Sequence, residues 1–139
     1  MMTDMVNTRE LALNILLQIE KEKVPSHMAI RQMLEKYQFL PKQDRAFITR
    51  LCEGSVEYQI QNDYVINQYS KVKIHKCKPV IRTLLRMSVY QIRFMDSIPD
   101  SAVVNEAVKL AAKKGFFALK GFVNGVLRSI VREKEHLAF

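Results

Sequence analysis

Apolar residues in this chain recur three and four positions apart almost from end to end, the spacing of one face of an α-helix. No run alternates with period two, and only four glycines and four prolines interrupt 139 residues. A many-stranded sandwich needs turn signals about every 8–12 residues, and a phosphate-cradling loop needs clustered glycines. Neither fits this chain. The pattern predicts an all-α fold of about seven helices.

The first helix is expected over 9–21, with Thr8 as N-cap and Leu11, Ile15, Leu16 and Ile19 as its apolar stripe. Val24-Pro25 breaks it, and Ser26 caps a second helix to Tyr37. Pro41 suits the start of a third, with Phe47, Ile48, Leu51, Ser55 and Tyr58 on one face. Tyr64, Val65, Ile66 and Tyr69 mark a fourth helix or a bent continuation of the third. Residues 70–78 have no stripe and read as a basic loop. Pro79 begins a fifth helix to Phe94, with Ile81, Leu84, Leu85, Ser88 and Ile92 facing in. Asp100 or Ser101 caps a sixth that runs to Lys114, where Gly115 stands ready as the residue after the cap. The seventh covers 117–132 and carries Leu119, Phe122, Val123, Val126, Leu127 and Ile130. The helices are expected to form two packed subdomains, divided near residues 70–78, within a single domain over 1–139.

Several classes of function fall away. No apolar run approaches the roughly 18–20 residues of a membrane span, and the start MMTDMVNTRE lacks the basic and apolar regions of a signal peptide. Cys52 and Cys77 form no CxxC, and His27, His75 and His136 have no ligand spacing. A cytoplasmic protein with reduced thiols, no metal site and no membrane partner is expected.

Charge is divided unevenly. Residues 1–63 hold eight Lys/Arg against nine Asp/Glu, whereas residues 64–139 hold fourteen against five. The excess of positive charge therefore lies entirely in the second part, which points to a polyanion such as RNA. Two clusters carry it. The first is the loop lysines Lys71, Lys73, Lys76 and Lys78 with Arg82 and Arg86. The second is Lys113, Lys114 and Lys120 with Arg128 and Arg132. The candidate RNA contacts are Lys73, Lys76, Lys78, Arg82, Arg86, Lys113, Lys114, Lys120, Arg128 and Arg132.

Other residues read as structural. Gly54, Gly121 and Gly125 each cost about 1 kcal/mol inside a helix, which close packing by another backbone would offset. Asn124 is placed to bond between helices, and Glu106 to pair with Lys109. Asn105 and Glu106 interrupt an apolar run, but a lone carboxylate without a second acid, His or Cys at fixed spacing is no acid–base centre. Tyr58, Tyr69 and Tyr90 lie near apolar stripes and read as core; Tyr64 does not.

Two strings in the last third are specific. They are Ile98-Pro99-Asp100-Ser101-Ala102-Val103-Val104-Asn105-Glu106-Ala107-Val108 and Gly121-Phe122-Val123-Asn124-Gly125-Val126-Leu127-Arg128. Together with Leu84-Leu85-Arg86-Met87-Ser88-Val89-Tyr90-Gln91 and Leu51-Cys52-Glu53-Gly54, they resemble the NusB superfamily over about Thr8 to Arg132. The resemblance implies a NusB-like helical bundle associated with RNA. That domain occurs as a free-standing antitermination or rRNA-processing factor with a ribosomal-protein partner. It also occurs as the N-terminal domain of the RsmB (Sun/Fmu) 16S rRNA cytosine-5 methyltransferases.

Asn124 to Arg128, followed by Arg132, is closer to the methyltransferase branch. The first helix offers only Arg9, beside Glu10 and after Asp4, where the antitermination branch has an arginine cluster. The favoured expectation is a non-catalytic domain that binds and orients 16S rRNA and packs on its own C-terminal methyltransferase domain, which would follow Phe139. S-adenosylmethionine would be bound there and no cofactor here, since this chain has no G-x-G and neither cysteine follows a proline. The alternatives are the free-standing factor and a protein-docking module that never touches RNA.

Overall fold

The computed structural model describes residues 7–137. Asp4, Phe139 and the ends of the expected 1–139 domain lie outside the described residues. Seven α-helices follow one another: α1 (Thr8–Glu22), α2 (Ser26–Glu35), α3 (Lys42–Glu57), α4 (Gln59–Tyr69), α5 (Pro79–Phe94), α6 (Asp100–Lys113) and α7 (Lys120–Arg132). Short 3-10 turns lie at Ile74–Lys76, Phe117–Leu119 and Lys134–His136, and no strand occurs among the described residues.

The helix ends correct several expectations. Asn7, not Thr8, caps α1: its side chain accepts a hydrogen bond from the Glu10 amide at 2.9 Å. Ser26 and Asp100 are first helical residues preceded by Pro25 and Pro99, and neither α2 nor α6 has a side-chain cap bond. α4 begins five residues before Tyr64, directly after a bend at Tyr58. There the Tyr58 amide still donates to Gly54 and the Asn62 amide to Tyr58, both at 2.9 Å, so α4 is a bent continuation of α3. Gly115 ends α6 as expected, at φ +94. The Phe116 amide donates back to Ala111 and the Gly115 amide to Ala112, which satisfies two terminal carbonyls.

α5 organises the rest. Ten of its residues are buried, including all five of its expected inward positions. It touches α1, α3, α4, α6 and α7, so the parts on either side of residues 70–78 share one hydrophobic core. α2 packs on α1 and α3, and α6 on α7. Lys134, in the 3-10 turn just after α7, reaches Asp100 at the start of α6, 3.3 Å away, so these two helices run antiparallel.

The glycines behave differently from one another. A Cβ on Gly54 would run into the Tyr90 ring, so α3 needs glycine there because of an aromatic side chain rather than another backbone. Tyr90 is itself fixed in a group with Tyr58 and Phe94, whose ring centroids lie 4.5–6.2 Å apart. A Cβ on Gly121 or Gly125 would meet nothing within 4 Å. The expected packing of these two against another helix is therefore wrong for this chain: both are exposed on the outer face of α7.

Candidate nucleic-acid interface

The loop between α4 and α5 is anchored rather than loose. Ile74 is 3% exposed in the core, its amide donates to Asn67 Oδ1 at 2.8 Å, and Arg82 Nη1 donates to the Cys77 carbonyl at 2.8 Å. Pro79 then starts α5 with the φ a first helical turn requires. Around this fixed frame Lys71, Lys73, Lys76 and Lys78 are all exposed, and none makes an ion pair among the described residues. With no carboxylate beside them, their charges are open to an anionic partner.

Arg82 and Arg86 stand close by on α5 but are already engaged. Arg82 pairs with Glu20 of α1. Arg86 holds Asp63 of α4 through two parallel bonds of 2.8 Å and lies 3.6 Å from Glu20. The two guanidinium side chains are only 15% and 14% exposed. They tie α1, α4 and α5 together, and reaching a phosphate would require breaking those pairs.

The second cluster separates in the same way. Lys113 and Lys114 both grip Glu10 of α1, at 2.6 and 3.0 Å, and Lys114 also donates to Asn14 at 3.2 Å. The bond from Lys113, with that from Lys114, holds the Glu10 carboxyl below its ordinary pKa against the opposing effect of burial. Lys120 lies over the Phe117 ring at 4.2 Å. Arg128 donates to Asn124 at 2.9 Å and Arg132 to Ser129 at 3.2 Å, all within α7. Lys120 is only half-buried, Arg128 and Arg132 are exposed, and none of the three pairs with a carboxylate among the described residues. Both clusters are therefore fastened to α1, the first through Glu20 near its end and the second through Glu10 near its start.

The residues read as structural also sort. Asn124 bonds along its own helix to Arg128, not between helices as expected. Asn105 is exposed and has no bond among the described residues, so it holds nothing together. Glu106 pairs with Lys109 at 3.6 Å, as its spacing implies. Arg9, the one arginine of α1, donates to Gln91 at 2.9 Å and lies over the Phe47 ring at 5.5 Å. Burial lowers its pKa, and Glu106 opposes that shift. Cys52 is buried, with its thiol pushed up to about 12 by loss of solvent, which makes it no nucleophile at neutral pH.

Two residues that matter here went unremarked in the sequence: Glu20 and Asp63. Asp63 had a visible signal, as the only charged residue in the otherwise neutral α4 sequence QIQNDYVINQY.

Comparison with known proteins gives a consistent frame. The model of the NusB family matches residues 6–132. The chain is 35% identical over 127 residues to the probable ribosomal RNA small subunit methyltransferase B of Bacillus subtilis, covering 91% of this chain and 28% of that protein. It therefore spans less than a third of that relative's length. It is 34% identical over 128 residues to the transcription antitermination protein NusB of Bacillus velezensis, covering 91% of this chain and 95% of that one. The fold matches the crystal structure of antitermination factors NusB and NusE in complex with double-stranded RNA, with a TM-score of 0.82 and 23% identity over 95% of this chain and 98% of that one.

Proposed function

The chain belongs to the NusB family, and from that premise we propose that it is a non-catalytic RNA-binding domain whose principal phosphate contacts are the loop lysines. The observation that carries this reading is the anchored loop with four exposed lysines and no neighbouring carboxylate. Lys120, Arg128 and Arg132 form a second, weaker contact face. Contacts of this kind fix position on RNA without reading its sequence.

Two settings suit such a domain. The free-standing one, an antitermination or rRNA-processing factor that acts with a ribosomal-protein partner, is supported by the end-to-end match to NusB of Bacillus velezensis. The other is the accessory domain of a 16S rRNA cytosine-5 methyltransferase, with S-adenosylmethionine bound in a separate catalytic domain. Arg9 favours this second setting, because the single arginine of α1 is held by Gln91 and Phe47 rather than displayed with others. A cytoplasmic location fits either, and none of the described helices is long and apolar enough to cross a membrane.

The test is the salt dependence of binding to single-stranded rRNA fragments. Neutralising about four phosphates gives a slope of log K against log salt of roughly −3. Replacing Lys73, Lys76 and Lys78 by glutamine is expected to flatten that slope by about two units and weaken binding more than tenfold. Equal binding by the wild type and this variant, or binding indifferent to salt, would refute the reading.

A further inference from the structure

Of the five tyrosines, Tyr37, Tyr58, Tyr69 and Tyr90 pack in or against the core. Tyr64 on α4 does not. It is 54% exposed, and its side chain has neither a ring contact nor a hydrogen bond among the described residues. Ile60, one turn earlier on the same helix face, is 86% exposed, and Val72 in the lysine loop is exposed as well. Single exposed apolar side chains are ordinary, but three of the six large exposed ones fall within residues 60–72. They make a patch, and it adjoins the loop lysines.

We propose that Tyr64, backed by Ile60, is a stacking platform for one base of single-stranded RNA, with Lys71 and Lys73 holding the phosphates beside it. This proposal rests on the RNA-binding reading above and adds a base contact to a site described so far by its phosphate contacts.

Local geometry brings ring and charge together. Tyr64 and Gln68 lie four residues apart on one face of α4, and Lys71 follows two residues after the helix ends at Tyr69. The chain then folds back along the helix. Asn67, three residues on from Tyr64, accepts a hydrogen bond from the Ile74 amide at 2.8 Å. Residues three apart on a helix are neighbours, so Lys73, joined directly to Ile74, lies within about two helical turns of Tyr64.

Charge decides the occupant. Lys71, Lys73, Lys76 and Lys78 have no ion-pair partner among the described residues, and the one carboxylate of α4, Asp63, is taken by Arg86. An uncharged apolar partner would leave the lysines unmatched. A second copy of the chain would bring a second set of the same lysines to a two-fold contact, which like charge opposes. A partner helix needs a groove for its apolar anchors, whereas Ile60 stands clear of the surface. RNA matches both halves, because every base has a face that stacks on an aromatic ring and the backbone supplies the anion. Glu57, exposed one turn before Ile60 and unpaired among the described residues, repels phosphate and directs the strand from Tyr64 toward the loop.

The test uses the 139-residue chain with a uridine hexamer and the same hexamer stripped of its bases, affinity being read by fluorescence anisotropy over a salt series. The hexamer with bases is expected to bind tighter by about fivefold or more. Tyr64→Ala is expected to remove most of that preference, while leaving the salt slope and the binding of the baseless hexamer unchanged. Tyr64→Phe keeps the ring and is expected to bind as the wild type does. Both changes lie on the surface, so melting temperature should stay at the wild-type value.

If Tyr64→Ala binds the hexamer as the wild type does, with a normal salt slope, the stacking proposal fails and the RNA-binding reading stands. Equal losses in Tyr64→Phe and Tyr64→Ala would also overturn it, since the hydroxyl rather than the ring would then make the contact. If neither hexamer binds the wild type, the RNA-binding reading fails and the platform falls with it. Dimerisation at micromolar concentration that Ile60→Glu abolishes would assign this face to a second copy and overturn the proposal.

Discussion

Replacing Gly54 by alanine sets two known effects against each other. Alanine in a helix interior is favoured over glycine by about 1 kcal/mol. At this position, though, the new methyl would fall on the Tyr90 ring. Restoring an ordinary carbon–carbon contact of about 3.5 Å requires the ring to withdraw by about 1.5 Å. Tyr90 is 6% exposed and packed with Tyr58 and Phe94, so it has little room to move. An overlap this deep against a ring with little room belongs in the upper part of the overpacking range, about 2–3 kcal/mol, leaving a net loss of about 1–2 kcal/mol after the helix gain. With an unfolding entropy of about 2.1 cal/mol/K per residue, melting should fall by about 3–7 °C.

Gly125→Ala is the internal control. No neighbour lies within 4 Å, so only the backbone gain of about 0.4–1 kcal/mol remains and melting should rise by about 1–3 °C. Calorimetry on both variants, and on Gly54→Ala placed in a Tyr90→Leu background, separates the terms. In that background the alanine should become neutral or stabilising, a coupling that a double-mutant cycle measures directly. A rise in melting temperature for Gly54→Ala alone, or the same loss with and without the tyrosine ring, would refute the steric account.

Three further outcomes follow from the same structure. Glu10 is held below its ordinary pKa of 4.5 by Lys113 and Lys114, so its stabilisation is complete above that value and is lost as pH falls through the lower folded pKa. Melting curves of wild type and Glu10→Gln should therefore differ at pH 7 and draw steadily together as the pH falls below 4.5; a gap that stays constant into strong acid would remove Glu10 as the cause. Of the two thiols, the half-buried Cys77 should react with a disulfide reagent at pH 8 in the native protein, and Cys52 only on unfolding, with two fast-reacting equivalents as the contrary result. Calorimetric titration with S-adenosylmethionine should give no saturable heat, and micromolar binding would overturn the non-catalytic reading.

The helices were legible because burial imposes spacing locally. Each inward residue of α5 is fixed by its neighbours three and four positions away, and all five expected ones are buried. The caps were less legible, because Asn7 and Thr8 stand side by side and both side chains can accept an amide bond; the asparagine takes it, from Glu10. Charge was the least legible property, since its pairing is non-local. Glu10 lies 103 residues from Lys113, and Glu20 lies 62 from Arg82. Nothing at short range in the sequence marks those partners.

The consequence reaches the function. Counting cations over residues 64–139 suggests one broad basic face, yet the first part of the chain supplies Glu10, Glu20 and Asp63, which engage four of those cations inside the fold. A reversal of Lys113 and Lys114 would thus disturb the contact between α1 and α6 before it tested RNA binding. The cations that remain open are those whose surroundings lack a carboxylate, and the loop holds the densest group of them. Its lysines stand on a frame fixed by Ile74, Asn67 and Arg82, so the backbone that carries the charges is held in place before any partner arrives. A preorganised group of charges loses less entropy on binding than the same lysines on a free segment.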